Sequence, residues 1–240
     1  MPSKIDSKYT SQGMRMKNKT ALIILERPWG SHTSKNNRAS VLPFFHGLQQ
    51  INGNFDVYHS QFYEKKSFEL ALDDMMELEY KQFYIYIACH GKGRRLEGLN
   101  LSTAMQIIHA NAQSNNILGV LIGACEIGKS PYTLQAYSEG SSIVWQFAYK
   151  CSVNWLDGTL LDVKIFDELL NLTEKSFNDS KNIVQAFNDA LSDFKPDTSI
   201  GTGKNDAPML LKDSLTLVVQ SKGQGKQAND HSDELFDIES

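Results

Sequence analysis

Cysteine is scarce in this sequence, with 3 residues in 240. So small and odd a number cannot make a disulfide framework, and reduced thiols fit a cytoplasmic setting, the localisation expected here. Long apolar runs are also missing. No stretch approaches the ~18 consecutive apolar residues that a membrane-spanning helix needs, so no membrane association is expected. There is no excess of positive charge. The formal net charge is −4 and the pI is near 5.9, which argues against a nucleic-acid partner. The first 19 residues are polar and partly basic (Lys4, Lys8, Arg15, Lys17), without the apolar centre of a secretory signal. No internal repeat is present.

What the chain does have is 41% apolar residues, enough for a proper core, and a length that suits one α/β domain. The reading is a tail over 1–19, one domain over 20–220 and a second tail over 221–240. Both tails are expected to be disordered because they lack apolar periodicity. Within the domain, apolar runs predict strands at Thr20–Leu25, Phe55–Ser60, Phe83–Ala88, Ile117–Ile122, Ser142–Ala148 and Leu215–Val219. Helical spacing predicts helices at Arg38–Ile51, Ser67–Lys81, Ser102–Ser114, Tyr132–Tyr137, from Asp157 or Thr159 to about Leu172, and Ser180–Phe194. Ser67 is a natural N-cap for the second of these, and Asp157 or Thr159 for the fifth. Strands alternating with helices predict an α/β three-layer sandwich: a mostly parallel six-stranded sheet with helices on both faces.

Two of these strands end on reactive side chains. Phe83-Tyr84-Ile85-Tyr86-Ile87-Ala88 runs into Cys89-His90-Gly91, and Ile117-Leu118-Gly119-Val120-Leu121-Ile122 runs into Gly123-Ala124-Cys125-Glu126-Ile127-Gly128. A helix between them makes the strands parallel neighbours, so their C-terminal ends share one edge, where open α/β sheets bind ligands. His90 and Cys125 are then expected to face each other. The thiolate is the reactive form of cysteine, and a neighbouring imidazole can take its proton. Gly91 admits a close backbone approach, and the amides of Gly91 and Cys125 could hold a developing oxyanion.

These two motifs resemble those of the caspase-like cysteine peptidases, the group of caspases, metacaspases and many bacterial members: an apolar strand ending in His-Gly, then one ending in Ala-Cys with a glycine soon after. The resemblance extends in order of elements over about Thr20 to Gln220 and implies the same sheet, with its last strand antiparallel. It implies His90 as general base and acid, Cys125 as nucleophile, a protein or peptide substrate, no metal or organic cofactor, and an effector kept inactive until an activating partner or signal arrives. The departures are an extra residue before the glycine in Ala124-Cys125-Glu126-Ile127-Gly128 and a His90-to-Cys125 separation of 35 residues, against about 50 in caspases. Cleavage after aspartate therefore does not carry over.

Other residues have plainer readings. Cys89 points to the opposite face from His90 and reads as a packed thiol, and Cys151 reads as a non-catalytic loop residue. His32, in the loop Glu26–Asn37, could touch substrate. Glu126 and Asp157 allow a basic residue before the scissile bond, whereas Arg27 and Arg38, in or near the first loop, allow an acidic one; the sequence leaves this open. A rival is carried by Gly123-Ala124-Cys125-Glu126-Ile127-Gly128-Lys129-Ser130, which fits the phosphate-loop pattern and would make the chain a nucleotide-binding switch. Pro131 speaks against it, because it pushes Ser130 away from helical angles. A further alternative is an interaction domain of the same fold without turnover.

Overall fold

The computed structural model describes residues 19–30 and 39–236. Residues 1–18 of the expected tail, His32, Arg38 and most of the expected loop after Glu26 lie outside them. Among the described residues the main sheet has seven strands: Thr20–Glu26 (β1), Phe55–Gln61 (β2), Gln82–Ala88 (β3), Ile117–Gly123 (β4), Trp145–Tyr149 (β5), Leu215–Val219 (β6) and Asn229–Asp230 (β7). Their order across the sheet is β7-β6-β5-β4-β3-β1-β2. The pairs among β1 to β5 are parallel, and β6 runs antiparallel to β5.

The helices are Leu42–Asn52 (α1), Lys65–Met76 (α2), Leu101–Ala112 (α3), Pro131–Ser138 (α4), Trp155–Leu169 (α5) and Ser180–Leu191 (α6). Period-two alternation along the strands divides the core. On β3, Tyr84, Tyr86 and Ala88 face one side with Phe45 of α1, Phe166 of α5 and Phe187 of α6. Phe83, Ile85, Ile87 and Cys89 face the other with Leu72 of α2, Met105 of α3 and Leu134 of α4. Each central strand is therefore buried on both faces, which is why the strands read as continuous apolar runs.

Four sequence expectations need correction. The sheet has a seventh strand, because the stretch 221–236 is not structureless. Asn229 and Asp230 pair with Val219 and Val218, and Ala228 and Leu235 are buried, so two apolar anchors suffice without periodicity. Helix α2 starts before Ser67: Glu64 is the N-cap, accepting from the amides of Lys66 at 2.7 Å and Ser67 at 2.9 Å, while Ser67 Oγ accepts from the Glu64 amide at 3.1 Å. This is a capping box with the acid and the hydroxyl exchanged. Helix α5 starts at Trp155, so neither Asp157 nor Thr159 caps it. Asp157 sits in the first turn and accepts from Asn154 Nδ2 at 3.1 Å, where the helix dipole favours an acid. Finally, an antiparallel ribbon of Gly91–Lys92, Arg95–Leu96 and Leu99–Asn100 stands between His90 and α3, pieces too short to leave a periodic signal.

Candidate active site

The register of the sheet sets the site. Glu26 of β1 lies beside Ala88 of β3, and Ala88 beside Gly123 of β4. Three parallel strands thus end level, and the loops that follow them converge. Trp29 comes three residues after β1, His90 two after β3 and Cys125 two after β4. Together with Val153 and Trp155, all three line one cleft. Trp29 packs edge-on against both His90 and Trp155, with ring centroids 5.2 and 6.1 Å apart.

His90 is exposed, and its Nε2 lies 3.0 Å from the carbonyl oxygen of Trp29. A carbonyl only accepts, so Nε2 carries a proton and donates it to that bond. In the neutral ring Nδ1 is then the free acceptor. The half-buried Cys125 accepts from Ser152 Oγ at 3.8 Å and has its own Sγ 4.0 Å from the Val153 carbonyl. Glu126, next along the chain, holds φ at 65°, a region a non-glycine residue visits rarely. Its amide donates to the Cys151 carbonyl at 2.9 Å. This sharp turn directly after Cys125 swings the chain away and leaves the thiol at the cleft.

Gly91 lies against the same turn. A Cβ built there would stand 2.7 Å from the Cys125 carbonyl oxygen and 2.9 Å from Ala124 Cβ. Only a residue without a side chain allows the ribbon after His90 to approach this closely.

Two buried carboxyl groups support the cleft. Glu26, at the end of β1, accepts from Trp29 Nε1 at 2.7 Å, the Val41 amide at 2.9 Å and Ser40 Oγ at 2.6 Å, and its Oε2 is 2.9 Å from His59 Nε2. Burial alone would raise its pKa, but the bonds from His59, Ser40, Val41 and Trp29 prevail and hold it below the ordinary value. The second is Asp162 of α5, 1% exposed at the floor of the cleft. Tyr86 and Tyr149 each donate a hydroxyl hydrogen bond of 2.6 Å to it, one to each oxygen. Desolvation pushes Asp162 up to about 7 despite both bonds. The two tyrosines are held well above their ordinary value by burial and by this carboxyl group, so they remain donors.

The remaining candidates lie elsewhere. Arg27 is engaged by Glu97, with Nε–Oε1 at 3.2 Å, and by the Tyr63 carbonyl. Glu126 accepts from the Gly93 amide at 3.2 Å and from Lys129 Nζ at 2.9 Å, and its carboxylate is held low first by that lysine. Asp157 borders a different groove, between α5 and the Phe194–Leu211 region. None of the three lines the cleft of His90 and Cys125. Cys89 and Cys151 are buried, and desolvation raises their thiols to about 12 and about 11. Among the described residues all three cysteines are free, and no group of three or more metal-ligating side chains is found.

The phosphate-loop alternative does not match the backbone. The amides of Glu126, Lys129 and Ser130 already donate to the carbonyls of Cys151, Glu126 and Ile127. Lys129 is paired with Glu126, and Gly128 is wedged against Thr216 and Tyr149. Three of the amides, and the lysine, that such a loop would offer a phosphate are therefore engaged within the fold.

Sequence reasoning missed Trp29, Tyr86, Tyr149, Trp155 and Asp162. Only Asp162 carried a readable signal: an acid amid Gly158, Leu161, Ile165 and Phe166 on the apolar face of α5, where a buried polar residue is the informative exception.

No protein-family model matches the sequence, and no curated protein does. Solved structures do match in fold. One is a secreted C11 cysteine protease from Bacteroides thetaiotaomicron in complex with an irreversible peptide inhibitor, at TM-score 0.50 and 6% identity over 83% of this chain and 66% of that one. Another is caspase-1 from Spodoptera frugiperda, at TM-score 0.52 and 12% identity over 84% of this chain and 86% of that one. The chain spans just under two thirds of the Bacteroides protein. At such identities the likeness shows the fold: this chain has the caspase-like fold, and these structural neighbours are cysteine proteases. Among the described residues no helix is long and apolar enough to cross a membrane.

Proposed function

We propose that the chain is a cysteine endopeptidase acting through Cys125 and His90. One observation carries the reading. A half-buried thiol and an imidazole of fixed tautomer line one cleft at the ends of neighbouring parallel strands. Nδ1 of His90 takes the thiol proton, and the thiolate attacks the carbonyl carbon of a peptide bond. As the C–S bond forms, the carbonyl π pair moves onto oxygen, where the amides of Gly91 and Cys125 stabilise the negative charge. The tetrahedral species collapses, the C–N bond breaks, and His90 gives its proton to the leaving amine. Water, deprotonated by the now neutral His90, attacks the thioester and expels the thiolate, completing hydrolysis. The sequence demands no metal or organic cofactor in this scheme.

The substrate backbone has a place to lie. Ser152–Val153 pairs with Gly201 and Thr202 on one side and forms the edge of a three-stranded sheet beside Cys125. An extended peptide can add to such an edge through main-chain bonds. Control by an activating partner and a cytoplasmic location belong to the same reading, the latter supported by the unpaired cysteines.

Labelling with peptide acyloxymethylketones tests it. Wild type should be alkylated, Cys125→Ala should be silent, and His90→Ala should react ~100-fold or more slowly. Lys129→Ala should behave as wild type, whereas a nucleotide switch would depend on it. Labelling that persists in Cys125→Ala refutes the assignment, and a binding partner retained by all variants without labelling favours the non-catalytic domain.

A further inference from the structure

We infer that Glu26 is a positioning residue for His90, acting through Trp29. The carboxylate fixes the indole, and Trp29 in turn fixes the imidazole. This rests on the peptidase reading above and adds to it a residue that is 2% exposed and stands outside the cleft lining.

The chain leaves the sheet between Glu26 and Trp29. Up to Arg27 it follows the ladder: the Arg27 amide donates to the Ala88 carbonyl at 2.9 Å, and the Phe62 amide donates to the Glu26 carbonyl at 3.1 Å. Pro28 has no amide hydrogen with which to continue. Trp29 is placed by its side chain instead. Its Nε1 donates to Glu26 Oε1 at 2.7 Å, and bonds to a charged acceptor are the strong ones. The same oxygen accepts from the Val41 amide at 2.9 Å. The other, Oε2, accepts from Ser40 Oγ at 2.6 Å and lies 2.9 Å from His59 Nε2. Partners from the start of α1 and from β2 thus hold the carboxylate in one orientation, and the indole follows it.

Trp29 then acts on His90 twice. Its carbonyl accepts from Nε2 at 3.0 Å, and its ring meets the imidazole edge-on, with centroids 5.2 Å apart and planes at 81°. On the other side the indole meets Trp155 at 6.1 Å, and Trp155 meets Phe44 at 5.9 Å. His90 is itself exposed, so close packing does not fix its ring. The carbonyl does, and it also sets the tautomer. Without that acceptor the proton can sit on either nitrogen, and a ring protonated at Nδ1 cannot take the thiol proton there. Ring contacts are weakly directional, whereas the bond from the indole to the carboxylate sets the angle at which Trp29 presents its carbonyl.

The test uses the full chain and two independent readouts. One is the tautomer of His90, read from proton–nitrogen correlation spectra of the imidazole at about pH 8.5, where an unperturbed ring is neutral. The other is alkylation of Cys125 by the acyloxymethylketone that wild type takes fastest, resolved into a maximal rate and a half-saturating concentration. Wild type should hold the proton on Nε2. Trp29→Phe keeps the carbonyl and an aromatic ring but removes the indole donor, and Glu26→Leu removes its acceptor. Both should show a mixture of tautomers and a maximal rate lowered ~10-fold or more. Glu26 stands outside the cleft lining, so in Glu26→Leu the half-saturating concentration should stay within about threefold. Glu26→Gln keeps an oxygen for the indole and should recover most of both readouts. The Glu26→Leu, Trp29→Phe double variant should be no slower than Glu26→Leu, because the donor it removes has already lost its acceptor. Leu72→Ala opens a cavity on the opposite face of the sheet; it should melt lower and match wild type in both readouts. Should Glu26→Leu not fold, Trp29→Phe decides alone. An Nε2–H tautomer intact in the folded variants, or rate losses that multiply in the double variant, overturns the positioning role, while labelling of wild type keeps the peptidase reading. A tautomer that becomes mixed in a chain whose wild type is never labelled leaves the positioning role standing and overturns the peptidase reading instead.

Discussion

Replacing Asp162 with asparagine should change the direction in which stability depends on pH. The carboxyl group titrates at 3.8 when unperturbed and at about 7 in the fold, because burial disfavours its ionised form. The folded state therefore holds this proton more tightly than the unfolded chain does. The contribution is fully present below pH ~4 and is lost as pH rises to ~7, beyond which it is flat. The gap between 3.8 and about 7 corresponds to roughly 4 kcal/mol. Asparagine does not titrate here, but it replaces one acceptor oxygen with a donor, leaving the Tyr149 hydroxyl only the longer bond to the Gly158 carbonyl at 3.2 Å, at a cost of ~1–2 kcal/mol at every pH. At pH 8 the Asp162→Asn variant should thus be more stable than wild type by ~2–3 kcal/mol, and at pH 4 less stable by ~1–2 kcal/mol. For a chain of this size that is ~5–10 °C in favour of the variant at pH 8. Melting curves of both proteins from pH 4 to 8 measure it directly, because all other titrating groups are shared. Curves that stay parallel across the range would refute the argument that Asp162 is ionised against burial.

Three further outcomes follow from the geometry. Gly91→Ala should lower kcat/KM by ~100-fold or more while the protein stays folded, since the added carbon must displace the Cys125 carbonyl that stands 2.7 Å away; a change within twofold in a peptidase assay would remove Gly91 from the oxyanion site. Glu26→Gln should destabilise by ~1–3 kcal/mol near neutral pH, because the carboxylate that accepts from Trp29, Ser40 and Val41 loses its charge and one acceptor oxygen. Glu26 is held below its ordinary pKa, so its contribution is present above pH ~4.5 and lost as pH falls through the folded value, and the difference from wild type in denaturant titrations should shrink under acid. Removing residues 222–240 should expose the outer edge of β6, which is now covered by the pairing of Val218 and Val219 with Asp230 and Asn229 and by the bond from the His231 amide to the Leu217 carbonyl. An uncovered edge strand recruits other chains, so light scattering should report larger species than for the full chain, and an unchanged mass would contradict this role for β7.

The sheet was legible because its strands are buried on both faces. Ile23, Ile85 and Val120 on one side, and Leu22, Tyr84 and Leu121 on the other, leave no polar residue to interrupt the run. Strand β7 was not legible, since its two residues are polar and exposed and its place is set by Ala228 and Leu235 packing beside it. Helix starts failed for a local reason. At α2 the cap is an acid and the serine stands at the third helical position, so the usual order of the box misplaces the boundary by a turn.

The site divides along the same line. That His90 and Cys125 share one edge is readable because strand order brings the ends of β3 and β4 together, and a topology of alternating strands and helices leaves little choice in the matter. The rest of the cleft's lining obeys no such rule. Trp29 reaches the cleft from a loop, held by Glu26 through its indole nitrogen and by His90 through its carbonyl. Tyr86 looks like any core aromatic of β3 until its hydroxyl is seen on Asp162. Glu126 and Asp157 are close to Cys125 along the chain or through its loops, but both are held by other partners. Asp162 comes 37 residues after Cys125 and enters from below, on the buried face of α5. The residues at strand ends can therefore be found from topology, but the buried carboxyl group of this cleft has to be sought where a charge interrupts an apolar face.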